Sequence, residues 1–226
     1  MRRWLTTVLL AAGVVLAFVP AASAQTLLFD YLGFDYESPN PIPGAFGEPG
    51  SGYFGIGTVP FLFAPIVANT ALNDYTYVMS GLTPTSATPL GPYLVINYSP
   101  GTITLYEDPI SGGTAADYGA NPPNGTVLST FTDGTAIVVG NLTSFQFIVN
   151  TLDGTGSFEA VFDVVGGTQV GNFPLNQTQG WTFAGSTGQA LNIPPGYYHQ
   201  IDGQTFLNKP TAAKSITWGK LKSAYR

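Results

Sequence analysis

Between residues 25 and 208 the apolar positions come in short runs, many of them alternating with polar ones, and the runs are broken by Gly, Pro, Asn and Asp. A period of two puts successive side chains on opposite faces of a strand, and the 3.6-residue spacing of an amphipathic helix is missing throughout. Strands are predicted at 26–31, 52–59, 74–80 and near 181–184. The punctuation predicts hairpins as well: 93–98 with 102–106 around Ser99-Pro100-Gly101, 127–139 around Thr132-Asp133-Gly134, and 144–150 with 157–165 around Leu152 to Gly156. In the last of these, Phe145, Phe147 and Val149 fall on one face, and Phe158, Ala160 and Phe162 on one face of the partner. Two apolar faces need covering, so the expected architecture is all-β: a two-layer antiparallel β-sandwich, jelly-roll-like or immunoglobulin-like, over residues 25–208. Segments 37–50 and 107–125, rich in Gly and Pro, read as long loops.

The N-terminus changes the picture by setting a compartment. Arg2 and Arg3, an apolar stretch over 5–19 and Ala22-Ser23-Ala24 have the three-part form of a secretory signal, with cleavage expected before Gln25. That stretch is shorter than the roughly 20 residues of a bilayer span, and no later run is long and apolar enough for one. The mature chain is therefore expected to be secreted or associated with the cell surface, with no transmembrane segment. It has no cysteine, so its stability must come from its core or from bound ions.

Charge is sharply segregated. All 13 carboxylates lie between Asp30 and Asp202, no Lys or Arg occurs from Trp4 to Asn208, and Lys209, Lys214, Lys220, Lys222 and Arg226 follow. A domain without cations cannot neutralise phosphates, which argues against nucleic acid as its partner. The tail, 209–226, reads as a frayed basic amphipathic helix with Trp218, Leu221 and Tyr225 on one face. Lys214, Trp218, Lys220, Leu221, Lys222, Tyr225 and Arg226 are its candidate sorting or attachment residues.

Catalytic chemistry has little to work with. His199 is the only histidine, its nearest acidic neighbour in sequence is Asp202, and no G-x-S-x-G elbow presents a serine, so His199 is read as structural. Glu37, Glu107, Asp108 and Glu159 carry no spacing that marks a glycosidase pair. A calcium site is the better candidate, with Glu107, Asp108 and Asp117 as hard oxygen ligands in one loop; no other cofactor is expected. Tyr31, Phe34 and Tyr36, or Tyr197 and Tyr198, are candidate sugar-stacking rings.

The Ala-x-Ala signal, the Gly/Tyr-rich domain with Tyr106-Glu-Asp-Pro109 and Thr132 to Gly140, and the short basic C-terminus together resemble exported bacterial β-sandwich proteins with C-terminal sorting tags, the PEP-CTERM class. The chain has no Pro-Glu-Pro motif. The resemblance implies an envelope, matrix or surface role and carries no catalytic residues. The function expected is that of an exported, non-catalytic structural or surface-associated protein. A polysaccharide-binding module, with or without calcium, is the alternative, and a secreted glycoside hydrolase ranks third.

Overall fold

A computed structural model of the chain describes residues 25–40, 46–123, 128–188 and 192–208. The signal segment and the tail, with Lys214, Trp218, Lys220, Leu221, Lys222, Tyr225 and Arg226, lie outside the described residues. Residues 26–207 make up one packed unit.

Among the described residues there are ten strands: β1 (Gln25–Glu37), β2 (Tyr53–Leu62), β3 (Asn73–Leu82), β4 (Pro84–Leu90), β5 (Tyr93–Tyr98), β6 (Gly101–Pro109), β7 (Thr135–Asn150), β8 (Gly156–Gly166), β9 (Trp181–Gly188) and β10 (Gln200–Asn208). One short helix, α1 (Ser129–Thr132), precedes β7. The strands do not form two layers. They follow the order β7-β6-β3-β2-β1-β10-β9-β8, and β8 pairs back onto β7, closing an eight-stranded antiparallel β-barrel. The expected sandwich is thereby corrected. A period of two says that one face is buried, but it does not say whether the burying surface is a second sheet or the same sheet curled round on itself. Closure pairs the eight barrel strands on both sides and leaves β4 as the edge strand.

The strand β7 explains how the barrel closes. It is 16 residues long and shifts register near Thr143, so its two halves take different partners on one edge. Its first half pairs with β6, Gly101 opposite Leu142, and its second half pairs with β5, Tyr98 opposite Phe145. The strands β5 and β6 therefore lie end to end along β7 and are not the hairpin the Ser99-Pro100-Gly101 signal predicts. Pro100 has no N–H, and the chain continues past it from β5 to β6 along β7 instead of folding back. β4 caps the β5 edge; its Pro84 and Pro89 suit an edge strand. The hairpin expected around Asp133-Gly134 is likewise absent, since α1 occupies the residues just before the turn. The third predicted hairpin is present as β7–β8, with Phe147 opposite Phe158.

The barrel interior is aromatic. Phe29, Tyr31, Tyr53, Tyr77, Phe145, Phe147, Phe158, Phe162, Trp181 and Phe183 are all buried there. Tyr31 stacks on Phe183 with centroids 3.8 Å apart and lies across Gly203, where a Cβ would come within 2.5 Å of its hydroxyl. Eight strands leave an interior just wide enough for side chains to fill, and glycines facing the largest rings make the room. A second, smaller cluster lies on the other face of the sheet: Tyr36, Ile56, Val78, Phe131 and Tyr197, with Phe34, Phe54, Tyr106 and Tyr118 packed against it. Ala116 and Tyr118, from the segment after β6, belong to this cover. Tyr197 donates its hydroxyl to the Tyr118 carbonyl at 2.6 Å, and Thr76 donates to the Phe131 carbonyl at 2.8 Å.

Candidate functional site

Antiparallel order gathers the C-terminal ends of β1, β3, β7 and β9 and the N-terminal ends of β2, β6, β8 and β10 at one mouth of the barrel. The β1 strand runs inward-facing through Phe29, Tyr31, Gly33 and Asp35, so the aromatic filling ends in a carboxylate. The segment entering β10 is fastened to that residue by its backbone. Asp35 N–H donates to the His199 carbonyl at 3.1 Å, and Tyr198 N–H donates to the Asp35 carbonyl at 3.0 Å. These two bonds set His199 directly beside Asp35.

The side chains then pair. Asp35 is 0% exposed; its Oδ1 accepts the His199 main-chain N–H at 2.7 Å, and its Oδ2 lies 3.0 Å from His199 Nδ1. An ionised carboxylate can only accept, so Nδ1 carries the proton and donates. Burial by itself would lower the His199 pKa, but the charge and hydrogen bond of Asp35, with the nearby charge of Glu37, outweigh it and raise the value above the ordinary 6.5. Phe46 meets the imidazole edge-on at 4.8 Å and Phe147 lies 5.5 Å away.

Glu37 is the second buried carboxyl at this mouth. Its Oε1 accepts the Gly47 N–H at 2.8 Å, while Oε2 has no partner among the described residues. Burial pushes its pKa up to about 7, against the lowering effect of Gly47 and Ser51, and the charges of Asp35 and Glu48 add to the rise. Ser51 is close enough to lower that value, yet its hydroxyl falls outside hydrogen-bonding geometry. Gly47 is required here: its φ is +76°, and a Cβ would press into Ile96 Cδ1 at 2.5 Å. The hydroxyls of Tyr53 and Tyr98 also lack partners among the described residues, and burial pushes both well above the ordinary tyrosine value. Buried polar groups without partners cost stability, and Glu37, Tyr53 and Tyr98 share this feature with Tyr31, Tyr77 and Thr205 elsewhere in the barrel.

In front of this cluster lies a cleft of about 410 Å³ lined by Phe46, Leu94, Val149, Asn150, Thr151, Leu152, Gly154, Tyr198 and His199. Asp35 holds the Nδ1 edge of the His199 ring, and His199 is among the residues that line the cleft. Asn40 donates its amide to the Tyr198 hydroxyl at the rim.

The residues singled out in the sequence are distributed otherwise. Glu107 and Asp108 belong to β6 and sit at the opposite mouth. Glu107 is occupied, accepting from the Tyr75 hydroxyl at 2.6 Å and from Asn73 at 2.8 Å. Asp108 lies opposite Asp74 across the β3–β6 pair, and burial together with the charges of Asp133 and Asp74 raises its pKa. Asp117 closes a local turn by accepting the Gly119 N–H at 2.9 Å. Glu107, Asp108 and Asp117 are not drawn together, and among the described residues no group of three or more His, Asp or Glu side chains is arranged to hold a metal ion. Glu159 lines a separate groove with Asn97 and Gln146. Of the candidate stacking rings, Tyr31 is inside the barrel, Tyr36 and Tyr197 are buried in the outer cluster with Phe34 packed against it, and Tyr198 lies at the cleft. Asp202, the neighbour of His199 in sequence, is exposed; the true partner, Asp35, is 164 residues away.

No protein-family model matches the chain, and no curated protein or solved structure matches it either. Fold and site geometry are therefore what define its class: a closed antiparallel β-barrel with an aromatic-filled interior and a buried Asp–His pair behind one mouth.

Proposed function

We propose that this protein is an exported, non-catalytic binding protein whose barrel mouth takes a neutral carbohydrate. One observation carries the reading: the cleft over His199 combines aromatic and aliphatic walls, Phe46, Tyr198, Leu94 and Val149, with the polar Asn150 and Thr151. Amphipathic walls of this kind suit the faces of sugar rings, and the volume is in the usual range of small-ligand sites. Charge narrows the ligand, since 13 carboxylates and no Lys or Arg between Trp4 and Asn208 disfavour anionic chains. Catalysis is not favoured, because among the described residues His199 makes its side-chain hydrogen bonds only with Asp35, and the Thr151 hydroxyl in the same cleft is donated to the Pro92 carbonyl. The export pattern over residues 1–24 supports an extracytoplasmic setting, with the basic tail serving attachment.

Titration calorimetry of the mature protein against neutral oligosaccharides tests this. Saturable binding that Tyr198→Ala weakens about tenfold is expected, the worth of one lost ring contact. Binding left intact by Tyr198→Ala, or absent for every neutral sugar, would overturn it. A purely structural role is the second reading, favoured by exposed Phe61, Val67, Leu72 and Ile110 around the opposite mouth, where Ile110 N–H donates to the Leu72 carbonyl.

A further inference from the structure

The mouth cleft has walls of two kinds. Leu94, Val149 and Leu152 with the Phe46 ring supply hydrocarbon, while His199 supplies the one group among the described residues that can be cationic. Asp35 takes Nδ1–H, so the imidazolium has a single N–H left for a ligand, on Nε2 of a ring that lines the cleft. The geometry points to a 2-acetamido sugar as the ligand, its carbonyl oxygen accepting Nε2–H of His199 and its methyl group resting on Leu94 and Val149. This inference rests on the carbohydrate reading above and narrows it to one substituent.

The chemistry excludes the nearest alternatives. A hydroxyl is a poorer acceptor than an amide carbonyl and brings no methyl group to the aliphatic wall, which would stay wet. A carboxylate would accept well, but Asp35 and Glu37 stand directly behind the imidazole and oppose it.

The same geometry makes recognition depend on protonation. Neutral His199 has only one N–H, and the Asp35 carboxylate keeps it on Nδ1. Nε2 then presents a lone pair to the carbonyl oxygen, and donor meeting acceptor becomes acceptor meeting acceptor. The groups facing the ring are Asp35 and Glu37 from β1, Tyr198 beside it, and the Phe46 and Phe147 rings; Tyr53 and Tyr98 stand behind the carboxyls. Glu37 gains its charge as pH passes about 7 and so favours retention of the imidazolium proton, adding to the upward shift that Asp35 sets.

Chitotetraose and cellotetraose share a β-1,4 backbone and differ in the acetamido groups, so calorimetry with these two probes isolates the inference. At about pH 5.5, below the ordinary histidine value, wild-type protein is expected to bind chitotetraose about tenfold or more tightly than cellotetraose, the worth of one charge-assisted hydrogen bond. At about pH 9 that preference should vanish, and His199→Phe, which keeps a ring and removes the N–H, should lack it at both pH values. The pH comparison uses wild-type protein alone and holds even if the variant fails to fold. Equal affinity for both sugars at both pH values would overturn the acetamido assignment and leave carbohydrate binding standing. Failure of both sugars to bind would overturn the carbohydrate reading and this inference with it.

Discussion

Replacing Asp35 by Asn removes the charge around which the barrel mouth is organised and keeps the side chain's size. In the native protein Asp35 is fully buried, accepting the His199 main-chain N–H at 2.7 Å and lying 3.0 Å from Nδ1. An Asn oxygen retains the first bond, but the amide turns an NH2 group toward Nδ1, and the imidazolium loses its counter-charge. Removing one partner of a buried ion pair costs about 3–5 kcal/mol; with the main-chain bond kept and the cleft admitting some water, about 2–3 kcal/mol is expected at about pH 5.5. For a chain of this length that is a fall of roughly 4–12 °C in melting temperature. The pH dependence has a definite sign. His199 is raised above 6.5, so its pair with Asp35 contributes stability that is fully present below 6.5 and is lost as pH rises through the raised value. The deficit of Asp35→Asn should therefore shrink to about 1 kcal/mol at about pH 9, where only a neutral hydrogen bond is at stake. Glu37 titrates in both proteins, so to a first approximation it cancels in the difference. Thermal unfolding followed by far-UV circular dichroism, wild type against variant at both pH values, measures this directly. A deficit that is the same at both, or below about 2 °C at acid pH, refutes the reasoning.

The other predictions concern separate parts of the barrel. Glu37→Gln should stabilise the protein by about 1–2 kcal/mol at about pH 8.5, a figure discounted for solvent near the rim, and the gain should fade toward acid pH. The sign follows from a folded pKa of about 7 against an ordinary 4.5: the native state favours the protonated acid, so native stability falls as pH rises between them. Gly203→Ala should cost about 1–3 kcal/mol, because its methyl group would meet the Ala184 carbonyl oxygen and the Tyr31 hydroxyl; a melt unchanged from wild type would show that the interior is looser than described. Melts in excess calcium and in chelator should superimpose, since Glu107 is held by Tyr75 and Asn73 and Asp117 by its own turn; a rise with calcium would restore a site at Glu107, Asp108 and Asp117. Deleting residues 209–226 should leave the melt unchanged and release the protein from its cellular location; unfolding with localisation kept would make the tail structural.

Period-two patterning reveals most of the strands but not β4 or β10, and the inward faces of Phe145, Phe147 and Val149 and of Phe158, Ala160 and Phe162 lie where alternation puts them. Closure was not legible, because it depends on pairing between strands far apart in sequence, such as β1 with β10, to which local turn chemistry does not speak. The Ser99-Pro100-Gly101 signal misled for a related reason: it marks a break, and whether the chain folds back there is decided by the length of β7, which offers one edge to both flanking strands. The site was half visible. His199 drew attention as the only histidine, but Asp202 was the partner that proximity in sequence suggested. A signal for Asp35 did exist, since it continues the inward series of Phe29, Tyr31 and Gly33, and a carboxylate on an otherwise apolar face demands a partner. Glu107 and Asp108 looked like loop ligands only because the end of β6 is rich in polar residues and reads as the start of the loop.

Because the chain contains one histidine, its imidazole is a unique reporter inside the proposed site. The most direct measurement of the central claim is the NMR signal of the His199 ring followed during titration with chitotetraose at about pH 5.5, where the imidazolium is the dominant form. A saturable shift of the ring signals, tracking the calorimetric binding curve, is the predicted result. Ring signals that stay fixed while the sugar binds would place the binding site elsewhere on the barrel and contradict the account.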